Sequence, residues 1–276
     1  MKTYLLLDCN YLVWRAHYST GHLSHKGTPT GSIFGFFKTI NELQNRFATT
    51  RLVFCFDHGR SKRYKLSKKY KSNRELTEEK IEVHKQINAL KFKYLKKVGY
   101  KNICYAKGYE ADDIIASIAK NIKYPHHAII VSADKDLMQL LDYDQRIQVY
   151  NPSSKKLYTH SMFMQEFGIS PNRWAEVKAM AGCSSDNIEG IPGVGEKTAI
   201  KELTVGTTGK VKDKIKKYNS NEKWKKKQIK LVTIPYKGCP VFKLKKDVLD
   251  PQACAKLLDN LGFQSLKDTF HATERK

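Results

Sequence analysis

Three short apolar runs, each followed by an aspartate, constrain the fold of this chain more than any other feature. Tyr4-Leu5-Leu6-Leu7 ends in Asp8, Leu52-Val53-Phe54-Cys55-Phe56 ends in Asp57, and Ala128-Ile129-Ile130-Val131-Ser132-Ala133 ends in Asp134, with Asp136 two residues on. A continuous apolar run without alternation suits a strand buried on both faces. Helix-like segments lie between the runs, at 33–47, 77–98 and 114–122. Strands alternating with helices predict an α/β fold, with a central, mainly parallel sheet flanked by helices. Such sheets bind ligands beyond the carboxyl ends of their strands, so three strands would each deliver an aspartate to one edge. One strand-end aspartate is often only a turn or cap residue; three of three are harder to explain that way.

A second acidic group belongs on the same rim. Glu110-Ala111-Asp112-Asp113 runs directly into the apolar segment Ile114-Ile115-Ala116-Ser117-Ile118-Ala119, so its acids fall in the first turn of a helix that Gly108 sets off. Glu110 and Asp113 share a helix face, and all three acids can reach one centre only near the helix's open end. Acids in a first turn also complement the helix dipole, but three in four positions repel one another and need a counter-charge. Oxygen-only ligands select hard ions, Mg²⁺ or Mn²⁺, which keep waters and engage phosphates. The chemistry implied is two-metal hydrolysis at phosphorus. No Ser/His/Asp or Cys/His arrangement competes.

The charge balance names the partner class. The chain carries 50 Lys+Arg against 27 Asp+Glu, a net charge of +23. Nucleic acid is the first candidate, although a ribosomal or membrane-surface protein would show the same excess. The run 60–74 holds eight basic residues and no acid: Arg60, Lys62, Arg63, Lys65, Lys68, Lys69, Lys71 and Arg74. It reads either as a mobile solvated loop or as a phosphate-gripping segment, with Tyr64 and Tyr70 free to stack on bases. Gly190, Gly193 and Gly195 around Pro192 predict a tight hairpin before a helix, where backbone N–H groups can approach phosphate. A purely structural turn between helices is the alternative. It is no nucleotide-binding P-loop, because Glu196 follows Gly195 and no strand is expected before it. The lysine-rich stretch 209–230 is equally a solvated face or a DNA contact. The remainder reads as small helices.

Six cysteines (Cys9, Cys55, Cys104, Cys183, Cys239, Cys254) form no CxxC pair and no zinc spacing, which suits reduced thiols and a cytoplasmic setting. Asp8 interrupts the only apolar run near the N-terminus, so no signal peptide is expected, and no stretch approaches membrane-spanning length.

In their order along the chain these motifs resemble the 5′ nucleases: bacteriophage 5′→3′ exonucleases and flap endonucleases, and the 5′-nuclease domain of bacterial DNA polymerase I. The stretch from Asp8 to Ala16 is similar to the family's opening strand end; Thr28-Pro29-Thr30-Gly31, Phe56-Asp57 with Tyr70-Lys71-Ser72-Asn73-Arg74, the Glu110–Asp113 and Ser132–Asp136 signatures, and 184–199 follow in register. The resemblance implies a PIN-like nuclease core with a helical arch and a C-terminal helix-hairpin-helix region. It divides the chain into an α/β nuclease domain, 1–165, with a basic arch at about 58–98, and a helical DNA-binding domain, 166–276, with the helix-hairpin-helix at 184–203. It implies a free-standing, structure-selective phosphodiesterase acting on DNA with 5′ ends, flaps or branches, and on some RNA–DNA hybrids, as a monomer in a bacterial or phage-infected cell.

Residue by residue, the resemblance implies Asp8, Asp57, Glu110, Asp112 and Asp113 around a first Mg²⁺, and Asp134, Asp136 and Asp186 around a second. Lys71 and Arg74 would steady the scissile phosphate. DNA contacts would come from Arg15, Arg60, Lys62, Arg63, Lys65, Lys68, Lys69, Tyr70, Gly190, Gly193, Gly195, Lys197 and Thr198, with K⁺ at the hairpin. One departure stands out: the family usually has an aspartate where this chain has Cys183, so the second site is one carboxylate short and a catalytically weakened or silent DNA-binding member is the alternative. A ribonuclease of a related metallonuclease fold is a third reading, which the hairpin and arch disfavour.

Overall fold

A computed structural model describes residues 1–267, so the end of the expected 166–276 segment lies outside the described residues. The chain alternates as its apolar runs dictate. β1 (Thr3–Asp8) leads into α1 (Cys9–Thr20), and a small ribbon, β2 (Ser24–His25) with β3 (Thr28–Pro29), turns the chain into α2 (Gly31–Phe47) and β4 (Leu52–Cys55). The predicted helix over 77–98 is α3 (Glu78–Ala89), continued by a π-helical turn at Leu90–Tyr94 into α4 (Leu95–Lys97). Then come β5 (Ile103–Cys104), α5 (Ala111–Asn121), β6 (His127–Val131), a 3-10 segment at Lys135–Leu140, β7 (Ile147–Asn151) and β8 (Lys156–Tyr158).

These strands form one six-stranded sheet in the order β5-β4-β1-β6-β7-β8. β1 pairs in parallel with both β4 and β6, and only the edge strand β8 runs antiparallel. The pleat explains the uninterrupted apolar runs. Leu6 points into the core under α5, Leu5 and Leu7 point into the core under α1–α3, and all three have no exposed surface. Placing β1 between β4 and β6 brings the ends of the three aspartate-bearing strands side by side, as crossovers in a parallel sheet require.

The rest of the described chain is mainly helical: α6 (His160–Phe167), α7 (Trp174–Ala181), a ribbon of two two-residue strands, β9 (Gly182–Cys183) and β10 (Ile188–Glu189), α8 (Glu196–Thr204), α9 (Gly209–Ser220), α10 (Glu222–Val232) and, after an irregular stretch, α11 (Pro251–Leu261). A short strand, β10, therefore does precede the glycine hairpin. These helices contribute to both cores of the sheet, and Ala175, Ala179, Ile188, Leu231 and Val232 form a smaller buried cluster with Tyr70. Trp174, Val177 and Met180 of α7 join Ile114 and Ile118 on one face of the sheet, and Cys254, Leu257 and Leu258 of α11 join Phe36 and Phe54 on the other.

Candidate active site

The carboxyl edge of the sheet gathers the acids. Asp8 caps α1: its Oδ1 accepts from the Tyr11 N–H at 3.1 Å, and its Oδ2 accepts from the Ser132 hydroxyl, which follows β6, at 2.9 Å. Asp57, two residues beyond β4, accepts from the Ala111 N–H at 2.7 Å, at the open end of α5. That helix starts as its sequence prescribes: Glu110 is the N-cap and forms a capping box with Asp113. Oxygen atoms of Glu110, Asp112 and Asp113 all lie within 4.8 Å of one another. On the other side, Asp134 caps the 3-10 segment by accepting from the Asp136 N–H at 2.8 Å.

The electrostatics show that these are neighbours and not scattered caps. Burial pushes the Asp8 carboxyl up to about 7, and Asp57 and Asp134 add to the rise. Burial and Glu110 raise Asp57. Burial, then Asp113, raise Asp112 well above the carboxylate range, against the pull of Arg63. Asp136 is pushed up to about 6 by burial, then by Asp134, with Asp186 contributing. Neighbour by neighbour, these influences link the eight sequence-predicted acids along the sheet edge.

Cations of the chain answer part of this charge. Arg63 is 2% exposed. It forks onto Asp113 at 2.7 and 2.8 Å, reaches Glu110 at 3.1 Å, and donates to the carbonyls of Leu231 at 2.8 Å and Thr233 at 3.1 Å. Those five bonds use every donor of the guanidinium. Glu110 also accepts from Ser61 at 2.9 Å and Tyr70 at 2.8 Å, and its other oxygen pairs with Lys71. This set holds the Glu110 carboxyl down at about 2, against its own burial. Asp186 pairs with Arg74 at 2.8 Å and lies 3.9 Å from Lys71. Lys178 of α7 reaches Asp136 at 3.2 Å and Glu196 at 3.4 Å. Among the described residues Asp8, Asp57, Asp112 and Asp134 form no ion pair. Oxygen donors crowded at a sheet edge, four of them without a basic partner, fit a hard divalent cation.

Two expected DNA contacts are overturned. Arg63 cannot grip DNA, because it is buried with all its donors spent inside the protein. Tyr70 cannot stack on bases, because it is 6% exposed and its hydroxyl is bound to Glu110. The 60–74 run is accordingly no free loop: it folds onto the acids it follows. Tyr64 is also engaged, with the Arg60 guanidinium 3.2 Å from its ring centre and Lys68 at 4.5 Å. Lys62 donates to the Tyr109 hydroxyl at 2.7 Å, and Arg15 reaches the Pro152 carbonyl at 3.5 Å. Lys65, Lys68, Lys69 and Lys197 stay exposed, although Lys69 pairs with Glu189 at 2.7 Å. At the hairpin, Gly190 is required internally: a Cβ there would lie 2.3 Å from the Ala181 carbonyl carbon. Gly193, at φ +79°, makes the turn, while Gly195 faces open space before α8 and the half-buried Thr198 sits in that helix's first turn. Cys183 ends β9, half-buried, its sulfur 3.1 Å from the Ser185 hydroxyl.

Sequence reasoning missed Lys178, Ser132, Ser61 and Lys91, whose ammonium bonds the Asp57 carbonyl at 2.8 Å. Lys178 left one trace, as the lone basic residue of an otherwise largely apolar helix; single serines leave none.

With this geometry in hand, the comparisons with known proteins are direct. The family model for the 5′-3′ exonuclease N-terminal, resolvase-like domain matches residues 3–168. A 5′-3′ exonuclease of Buchnera aphidicola is 34% identical over 203 residues, covering 72% of this chain and 69% of that protein. One from Aquifex aeolicus is 35% identical over 206 residues, covering 74% and 69%. In fold, the chain is similar to the bacteriophage T5 flap endonuclease solved with DNA and metal ions, at a TM-score of 0.69 and 21% identity over 99% of this chain and all of that one. The family model and these relatives make the chain a nuclease of the 5′-3′ exonuclease family.

Proposed function

We propose that the chain is a structure-selective, divalent-metal-dependent 5′ nuclease that hydrolyses DNA at 5′ ends and flaps by a two-metal mechanism. The observation that carries the reading is the set of four carboxylates, half-buried Asp8, Asp57 and Asp112 and exposed Asp134, that share one rim and, among the described residues, have no basic side chain paired to them. Asp8, Asp57, Glu110 and Asp112 would hold one Mg²⁺ or Mn²⁺, and Asp134, Asp136 and Asp186 the other. Ions held there would supply a water acidic enough to act as nucleophile and positive charge to offset the negative charge developing at phosphorus. Asp113 serves differently: with four hydrogen bonds on its two oxygens, it orients Arg63 and the start of α5.

The chain's own groups do the rest. Lys71 and Arg74 sit against Glu110 and Asp186, where their charges can meet a phosphate drawn into the rim. Exposed Lys65, Lys68, Lys69 and Lys197 grip backbone, as do Arg15, Arg60 and Lys62 at the rim of the site. The turn of Gly193 and Gly195 presents backbone N–H groups to duplex phosphate, with K⁺ held there. Such contacts read structure and not sequence. We assign the chemistry to 1–165 and the duplex grip to 166–276, with DNA as substrate, RNA–DNA hybrids admitted, and a monomer acting in a reducing cytoplasm.

Cys183 and Lys178 bear on the second site. A cysteine stands where the family usually has a carboxylate, and a lysine already leans on Asp136, so this ion binds the more weakly. End-labelled 5′-flap DNA tests the whole reading: cleavage near the branch with Mg²⁺, abolished by chelator, is expected. Binding without cleavage at any divalent-ion concentration would leave only a DNA-binding member of the fold.

A further inference from the structure

Helix α10 carries Lys225-Lys226-Lys227, a run that is equally a solvated face or a contact surface on sequence alone. Its packing separates the three. Lys227 and Gln228 close a cavity of about 280 Å³ against the Leu66–Lys69 turn and the segment Asn187–Glu189. The lysines on its walls are Lys68, Lys69 and Lys227, set against one acid, Glu189. Lys69 and Glu189 pair at 2.7 Å, both side chains exposed. Among the described residues, Lys68 and Lys227 form no ion pair. The walls therefore keep a net positive charge.

Gln228 supplies a second observation on the same wall. Gln228 is 4% exposed, yet its Oε1 has no hydrogen-bond partner. A buried amide left unsatisfied is costly, and a side-chain amide can turn either end toward a ligand. Ser67 adds a hydroxyl to the same wall. Ammonium, amide and hydroxyl donors around a small polar cavity suit a monoanionic oxygen ligand, and a phosphodiester is one.

The cavity's position decides which phosphodiester. Lys69 lies two residues before Lys71, which touches Glu110, and Asn187 directly follows Asp186. Two residues span roughly 7 Å of chain at most. A backbone phosphate seated there is a near neighbour of the one that meets the acids.

We propose that this cavity is a phosphodiester-binding site, in which Lys227 and Gln228 of α10 join Lys68 to hold the substrate strand beside the scissile phosphate. The inference rests on the nuclease reading, but its test needs no cleavage. Fluorescence anisotropy of labelled 5′-flap DNA in chelator, over a series of NaCl concentrations, reads affinity and its salt slope. Lys227→Gln removes one phosphate contact, so the log–log slope becomes shallower by about 0.9. Gln228→Leu weakens binding roughly tenfold, the effect of one hydrogen bond to a charged group. Lys256→Gln, an equal charge change on the exposed face of α11, leaves the slope as in wild type. Thermal melting confirms that each variant folds, and because Lys227 is exposed its variant carries the test even if Gln228→Leu does not fold. A slope in Lys227→Gln equal to wild type, or one shared by Lys256→Gln, overturns the site. Wild type that binds flap DNA but never cuts it with Mg²⁺ would instead end the nuclease reading.

Discussion

Arg63 and Asp113 show how far a residue's type can mislead about its role. In a run of eight basic residues, each looks like a phosphate contact; one is buried and spends five donors inside the protein. No spacing rule separates Arg63 from Lys62 or Lys65, because the difference lies in α10, whose end supplies the carbonyls 168 and 170 residues away. Asp113→Asn leaves that guanidinium with half its counter-charge gone. Removing one partner of a buried pair costs about 3–5 kcal/mol, so urea unfolding should show a fall of that order, and cleavage should drop with it. A variant as stable as wild type would mean the pair is dispensable. Cys183 supplies the second prediction at this scale: Cys183→Asp should restore a carboxylate to the second site and lower the Mg²⁺ concentration for half-maximal cleavage. Superimposable Mg²⁺ titrations would contradict it.

At the scale of elements, the sequence was most legible where the physics is local. Uninterrupted apolar runs announced β1, β4 and β6, and the acids before Ile114 announced the start of α5. β5, β7 and β8 were not legible. β5 has two residues, and β8 exists because β7 turns back on itself and pairs, which is a property of the sheet and not of the segment. The hairpin before α8 was visible from its glycines, but not their separate duties. Gly190→Ala places a methyl carbon 2.3 Å from the Ala181 carbonyl carbon, whereas a Cβ at Gly195 meets nothing within 4 Å. Gly190→Ala should therefore lower the melting temperature by several degrees, since about 1 kcal/mol corresponds to 2–4 °C in a protein of this size. Gly195→Ala should leave it within a degree or two. Equal effects would place the two glycines in the same role.

Across the whole molecule, convergence of the acids is the central claim, and it has a signature in pH. Asp8 and Asp136 hold their protons in the folded protein up to about 7 and about 6, above their ordinary value of 3.8. Between those limits the unfolded chain binds fewer protons than the folded one, so without divalent ions stability falls as pH rises from about 4 to 7. Glu110, held down at about 2, works in the opposite sense and only below its ordinary 4.5. The collective rim was foreseeable from strand-end aspartates and a parallel sheet. Its partial neutralisation by Arg63, Lys71, Arg74 and Lys178 was not, because those partners come from elements remote in sequence.

The most direct measurement is the melting temperature of chelator-treated protein at pH 5 and pH 8, with and without Mg²⁺, for wild type and Asp57→Asn. The account predicts that Mg²⁺ stabilises wild type strongly at pH 8 and weakly at pH 5, where protons already relieve the rim, and that Asp57→Asn loses most of the Mg²⁺ gain while melting higher than wild type in chelator. An Mg²⁺ effect absent at pH 8, or identical in Asp57→Asn, would mean the rim does not gather its charge around divalent ions.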